Sequence, residues 1–292
     1  MKYLNKLALG TVQFGQPYGV SNKLGQVSIE EARAILNFAV ANNFNTLDTA
    51  IAYGDSELVL GSIGVNQWNV ITKLSTIPED CENISSWIEK SIDQSLARLN
   101  ISKLEGVLLH SPKQLISPVG ERIFSALQEL KENNKVNKIG ISIYSPEELN
   151  ELIPQYSFDI VQAPLNIIDR RMVSSGWLSR LYQSNVEVHV RSIFLQGVLL
   201  MSASERPEKF NRWSKLWDCW NNWLSETGFD AIQACLSFVL LNREIDRVIV
   251  GIDSLEQLKE IISVVNKPQV DIPNYLFSND LDLINPSRWN QI

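Results

Sequence analysis

The chain is poor in cysteine: Cys81, Cys219 and Cys235 form an odd set with no CxxC pair among them. That pattern excludes a disulfide framework and a thiolate metal cluster, and it predicts a reduced, cytoplasmic protein with no metal centre. Basic charge is also short, with 26 lysines and arginines against 33 acidic residues, a formal net charge of -7 and a pI near 5.1. Nucleic acid and anionic membrane surfaces attract the opposite balance, so a small soluble ligand is the expected partner. No apolar run approaches the length of a membrane span, and the apolar stretch near the start is too short for a signal segment. Low-complexity tracts, internal repeats and Pro/Gly-rich linkers are missing as well, which makes one domain over residues 1–292 the economical reading.

What is present is a regular alternation. Short apolar runs at 7–10, 46–48, 69–73, 106–110, 138–142, 160–163, 187–192 and 248–250 read as strands. Between them, apolar residues recur at helical spacing: Ile29, Ala32, Leu36, Ala39 and Val40; Ile84, Trp87, Ile88, Ile92 and Leu99, with Ser91 and Ser95 on the same side; and Leu255, Leu258, Ile261, Ile262 and Val265. Helix starts are signalled by Ser28 with Glu31, by Ser145 with Pro146 and Glu148, and by Ser254 with Gln257. In each, a serine oxygen can accept an unpaired amide of the first turn. Eight strand-then-helix units predict an α/β fold, a (β/α)8 TIM barrel. A doubly wound open sheet is the rival, but eight parallel units at this length favour closure. The connection at 194–236 is longer than one helix needs and predicts an enlarged loop plus helix beside the barrel mouth. Residues 268–292, with Pro273 and Pro286, read as an irregular tail.

Asp48, Tyr53, Lys73 and His110 each stand at or just beyond the end of an apolar run. Strand C-terminal ends share one mouth in a parallel barrel, so these scattered positions converge on one candidate site. Tyrosine is a poor acid near neutral pH, and a nearby lysine would stabilise the phenolate. Lys73 can do this for Tyr53, Asp48 can keep that lysine charged, and His110 can orient a carbonyl oxygen or share in proton transfer. Singly, each residue has an ordinary explanation as a turn aspartate, a core tyrosine or histidine, or a solvated lysine. Together they suit carbonyl reduction, in which hydride reaches carbon and a proton reaches oxygen.

The stretches LALGTVQFG (7–15), NTLDTAIAYGDSELVLG (45–61), VITKLS (70–75), GVLLHSP (106–112), IGIS (139–142), VQAPLNIIDRR (161–171) and VRSIFLQGVLL (190–200) resemble the aldo/keto reductase family. The resemblance implies the barrel, a nicotinamide cofactor extended across its mouth, and Tyr53 as general acid supported by Lys73, Asp48 and His110. It also implies that Gly10 and Thr11 approach the nicotinamide ribose, that Ser142 and Gln162 hold the carboxamide, and that Arg191 and Ser192 face the ring and the phosphates. The plainer alternatives are a strand-interior amide for Gln162, a helix cap for Ser142, and loop or helix-start roles for Asn166 and Arg170.

The chain departs from the family pattern in two places. Ile143 stands where many members carry asparagine, and at the last strand-helix junction Gly251 and Gln257 occupy the usual basic positions and Ile261 the usual asparagine. Asp253 adds a carboxylate there, which would repel a 2'-phosphate but could accept hydrogen bonds from ribose hydroxyls. The family implies NADPH and the local residues also admit NADH, with Gly251 and the amides after Ser254 suited to a phosphate. Trp213, Trp217, Trp220 and Trp223 share one helix face. They form either a stripe packed on the barrel or, through Trp213 or Trp217, an aromatic wall for a substrate.

The expected activity is NAD(P)H-dependent reduction of an aldehyde or ketone, with a sugar-derived carbonyl suggested by the opening GTVQFGQPYGVSN (10–22). The rivals are a cofactor-binding regulatory protein with little turnover and a barrel aldolase forming a Schiff base on Lys73.

Overall fold

The expected runs become strands because both of their faces are covered, as the fully buried Thr46–Asp48 and Ile160–Pro164 show. The computed structural model describes residues 3–265, 267 and 271–290. Its strands are β1 (Leu7–Gly10), β2 (Thr46–Asp48), β3 (Asn69–Leu74), β4 (Leu104–Leu109), β5 (Val136–Ser142), β6 (Ile160–Pro164), β7 (Glu187–Arg191) and β8 (Arg247–Gly251). They close in sequence order, all parallel, and β8 returns to β1. Six of the eight strands shift a bound by one or two residues from expectation, and two of these shifts leave a site residue beyond its strand. His110 lies just past β4, although its N–H still bonds the Leu74 carbonyl at 3.1 Å. Ser192 lies past β7 because its φ of 60° leaves the strand conformation.

Closure divides the apolar residues in two. Ile71, Leu108 and Ile160 form a small cluster of their own, apart from the large core between sheet and helices. Register keeps the strand ends level: Gly10 pairs with Asp48 and Gly251, Lys73 with Leu108, Ser142 with Gln162, and Pro164 with Arg191.

Helix Ile29–Ala41 starts where Ser28 accepts the Glu31 amide at 3.2 Å, and it buries Ala32, Leu36 and Ala39 while Ile29 is exposed. Helix Ile84–Leu99 buries Ile84, Ile88, Ile92, Ser95 and Leu99. Helix Leu255–Val265 starts where Ser254 accepts the Gln257 amide at 3.3 Å. Ser145 behaves otherwise than expected. The short helix Glu148–Leu152 has no serine cap; the Glu148 carboxylate instead reaches back to the amides of Tyr144 and Ser145 at 2.8 and 2.9 Å.

The long connection after β7 holds two helices rather than one, Ser214–Thr227 and Ala231–Leu240, preceded by 3-10 turns at Val198–Leu200 and Glu208–Trp213. The C-terminal tail is less irregular than its prolines suggest. It carries the short helix Leu281–Ile284 and buries Leu283, Ile284 and Trp289. Arg170 anchors it by donating to the carbonyls of Pro273 at 2.8 Å and Leu276 at 3.3 Å, which accounts for that arginine. The tail residues 268–270 and 291–292, and Met1 and Lys2, lie outside the described residues. No described helix is long and apolar enough to cross a membrane.

Candidate active site

Level strand ends bring most of the expected residues to one opening. Asp48 ends β2, Lys73 lies one residue inside the end of β3, His110 follows β4, Ser142 ends β5 and Arg191 ends β7. Tyr53 comes from the loop after β2. That loop is pinned by backbone contact: a Cβ on Gly15 would lie 1.8 Å from the Tyr53 carbonyl oxygen, and one on Gly54 would lie 2.3 Å from the Gly15 oxygen. Only bare backbone fits at both places, and Gly54 also takes a φ of 53°.

The buried centre is an ion pair. Lys73, 1% exposed, places its Nζ on both carboxylate oxygens of Asp48 and donates to the Thr49 carbonyl at 3.0 Å. The same Nζ lies 4.9 Å from the Tyr53 ring centroid. Burial alone would lower the pKa of Lys73, but the Asp48 carboxylate, and then Tyr53, outweigh it and raise the value above that of an ordinary lysine. The lysine therefore remains an ammonium.

His110 meets Tyr53 edge to face at 5.9 Å between ring centroids. Desolvation, followed by the Lys73 and Arg191 charges, pushes its pKa down to about 4. At neutral pH it is a neutral imidazole with one N–H to donate.

Gln162 is fully buried and does not reach the opening itself. Its Nε2 donates to Asp48 Oδ2 at 3.0 Å and its Oε1 accepts from Ser142 Oγ at 3.1 Å. A continuous chain thus joins Ser142 to Gln162, Asp48 and Lys73. Thr11 is buried as well, giving its N–H and Oγ1 to the Asp48 carbonyl at 3.0 and 3.1 Å. Arg191 donates to the Ile143 carbonyl at 3.0 Å and stacks over the Tyr144 ring at 4.7 Å. Asn166 supports the next residue by donating to the Ser192 carbonyl at 3.0 Å.

These groups open into a cavity of about 740 Å³ that reaches from Tyr53 and His110 to Gly251, Asp253 and Gln257. That size is in the range of sites for small molecules and cofactors. Its wall includes backbone left bare at Gly10 and Gly251, and a Cβ on Gly251 would come within 2.6 Å of the Gln13 amide. The Gln13 Oε1 is buried without a hydrogen-bond partner. An unmet acceptor, bare strand ends and the Arg191 cation suit a nicotinamide dinucleotide.

Two loops meet over the mouth. Val20 donates its N–H to the Gln196 carbonyl at 3.1 Å, Gln196 Nε2 reaches Tyr18 Oη at 3.0 Å, and Lys23 pairs with Glu205 at 3.0 Å. Gln13, Tyr18, Tyr144 and Gln196 were not among the expected site residues. Gln13 lies in the one-turn helix Val12–Gly15 and the other three in loops, where no periodicity marks them, and Gln196, with a φ of 51°, owes its place to an irregular turn.

Not every expected residue faces this cavity. Trp217 is 3% exposed and donates its Nε1 to the Phe210 carbonyl at 2.9 Å, while Trp213 donates to Asp280 Oδ2 at 2.9 Å. Both lie outside the cavity lining, as members of the stripe that packs on the barrel. Ser254 is likewise engaged as a helix cap. The helix start it caps is less open to a phosphate than expected, because the Leu255 amide is taken by the Glu31 carboxylate at 2.6 Å and the Gln257 amide by Ser254. Asp253 accepts from Asn22 Nδ2 at 3.1 Å, and partial burial raises its pKa above that of an ordinary aspartate.

Similar proteins agree with this architecture. The chain is 26% identical to an L-galactose dehydrogenase of Arabidopsis thaliana, covering 89% of this chain and 86% of that one. It is 23% identical to an L-glyceraldehyde 3-phosphate reductase of Escherichia coli O157:H7, covering 85% and 83%. The structure of an aldo-keto reductase from Bacillus halodurans superposes with a TM-score of 0.72 at 20% identity, over 91% of this chain and 88% of that one. The model of the aldo/keto reductase family matches residues 6–274, and the chain belongs to that family.

Proposed function

We propose that this protein is a reductase that uses a reduced nicotinamide dinucleotide to convert an aldehyde or ketone into an alcohol, with one barrel carrying the whole site. The observation that carries the reading is the placement of the Lys73 ammonium between the Asp48 carboxylate and the face of Tyr53, with the neutral His110 beside the same ring.

A reduced nicotinamide held in the mouth by Ser142 and Arg191 would supply the hydride that the carbonyl carbon needs. The Tyr53 hydroxyl gives its proton to the carbonyl oxygen. Lys73 stabilises the negative charge left on the tyrosine oxygen, and Asp48 keeps Lys73 charged without adding net charge to a buried site. The neutral His110 offers its N–H to the same carbonyl and fixes which lone pair meets Tyr53. Ser142 and Arg191 are the polar groups on the cavity wall suited to hold the cofactor, while Gln162 acts from behind by orienting Asp48. Gly10 and Ser192 complete that wall.

Relatives named for L-galactose and L-glyceraldehyde 3-phosphate support a sugar-derived carbonyl as substrate. The free Cys81, Cys219 and Cys235 support a reducing, cytoplasmic setting. An aldolase reading is disfavoured, since Schiff-base chemistry needs a neutral amine and Lys73 is held as an ammonium.

The test is oxidation of reduced dinucleotide by the purified protein with glyceraldehyde, methylglyoxal and aldoses, with the alcohol product identified. Turnover that disappears in Tyr53→Phe supports the assignment. Dinucleotide binding without turnover on any carbonyl would favour a regulatory role instead.

A further inference from the structure

We propose that the site is built for NADH and discriminates against the 2'-phosphate of NADPH, an inference that rests on the reductase reading above. The cavity is lined from Tyr53 and His110 to Gly251, Asp253 and Gln257 at the end of β8, so a dinucleotide with its nicotinamide at Tyr53 would carry its adenosine half toward β8. Besides Asp48, the acidic residues of the cavity lining are Glu205, Asp230, Asp253 and Glu260, of which Glu205 is paired with Lys23 and Asp230 with Lys267. Among the described residues lining the cavity, Lys23 and Arg191 are the cations. Lys23 is spent on Glu205, and Arg191 is held at the end of β7 on the Ile143 carbonyl and the Tyr144 ring.

A phosphate could otherwise use free amides at the start of a helix. Three amides at the start of helix Leu255–Val265 are already engaged. Glu31 takes the Leu255 amide at 2.6 Å, Ser254 takes that of Gln257, and the Asp253 N–H goes to Gln257 Oε1 at 2.8 Å. The first of those acceptors is itself a carboxylate, so a phosphate at this helix start would meet the negative charge of Glu31 on the Leu255 amide and that of Asp253 on the cavity wall.

Asp253 makes no ion pair among the described residues and is positioned by Asn22 at 3.1 Å. A carboxylate with an adjacent amide is suited to a ribose diol, the role acidic residues fill in NAD sites elsewhere. The same group that accepts two hydroxyls repels a phosphate on one of them.

The experiment is calorimetric titration of the wild-type protein with NADH and with NADPH, repeated at low and high salt, with AMP and adenosine 2',5'-bisphosphate as probes of the adenosine half. The expected result is NADH binding about tenfold or more tighter than NADPH, with the gap narrowing as salt screens the repulsion. Asp253→Asn, which keeps the Asn22 contact available, and Glu31→Gln, which keeps the cap acceptor, should each improve NADPH binding several-fold. Equal or tighter binding of NADPH overturns the inference while leaving the reductase reading intact. An NADH preference unmoved by salt and by both variants overturns its assignment to these carboxylates. If neither dinucleotide binds, the reductase reading fails and the inference with it.

Discussion

A methyl group on Gly15 would lie 1.8 Å from the carbonyl oxygen of Tyr53 and 2.4 Å from the amide of Ser56. The position of the proposed acid is therefore set by a backbone-to-backbone contact between the loops after β1 and β2. Gly15→Ala must push these loops apart, at about 1–3 kcal/mol of stability. The melting temperature should fall and kcat should fall with it, whereas Gly228→Ala, strained by a φ of 71° but with no atom within 4 Å of the added methyl, should lower stability and leave kcat unchanged.

Tyr53→Phe removes the proton donor and leaves the ring. Reduction should drop by about 10²–10⁴-fold, the usual range for loss of a positioned acid. Dinucleotide affinity, read by quenching of tryptophan fluorescence, should stay within about threefold of wild type, since the ring and its His110 contact survive.

Lys73→Met leaves the Asp48 carboxylate buried without its cation. Breaking such a pair costs about 3–5 kcal/mol, and urea unfolding should show a loss of that order. Adding Asp48→Asn should recover much of the stability, because the buried charge is gone, yet restore no activity. A double variant as unstable as the single one would argue against the ion pair as the source of the loss.

His110 predicts a defined acid sensitivity. Its folded pKa is about 4 and its ordinary value 6.5, so the unfolded chain takes up the proton first as pH falls. Stability is complete above pH 6.5 and declines down to about pH 4, by about 3 kcal/mol in all. Glu187, whose bond to His189 and then Lys138 lowers its carboxyl to about 2, acts in a separate window below pH 4.5. Unfolding free energies measured at pH 7, 5.5 and 4.5 should show the first decline in wild type and a flatter profile in His110→Asn.

Much of this was legible in the chain. Short apolar runs and period-3.6 stripes are local properties, so the strands at Leu7–Gly10 and Thr46–Asp48 and the buried stripe of Ile84–Leu99 could be read from the chain alone. The four residues proposed for chemistry were legible for the same reason, since a parallel barrel gathers strand ends at one mouth. The tail was harder to read. Its fold depends on Arg170, which lies in a different unit and captures two of the tail's carbonyls. The tryptophan stripe shows the same limit, because its periodicity marked a helix face but could not say which surface that face would meet.

The sequence by itself determined the alternation of strand and helix, the closure of eight parallel units, and the presence of Asp48, Tyr53, Lys73 and His110 near strand ends. Tertiary structure alone decided how the surrounding groups are shared. Gln162 turned inward to Asp48, Glu31 crossed to cap a helix more than two hundred residues away, and Asn22 reached Asp253. Hydrogen bonds between distant segments leave no spacing in the chain. They are selected when folding removes water and each buried donor must find whichever acceptor the packed neighbours bring within reach.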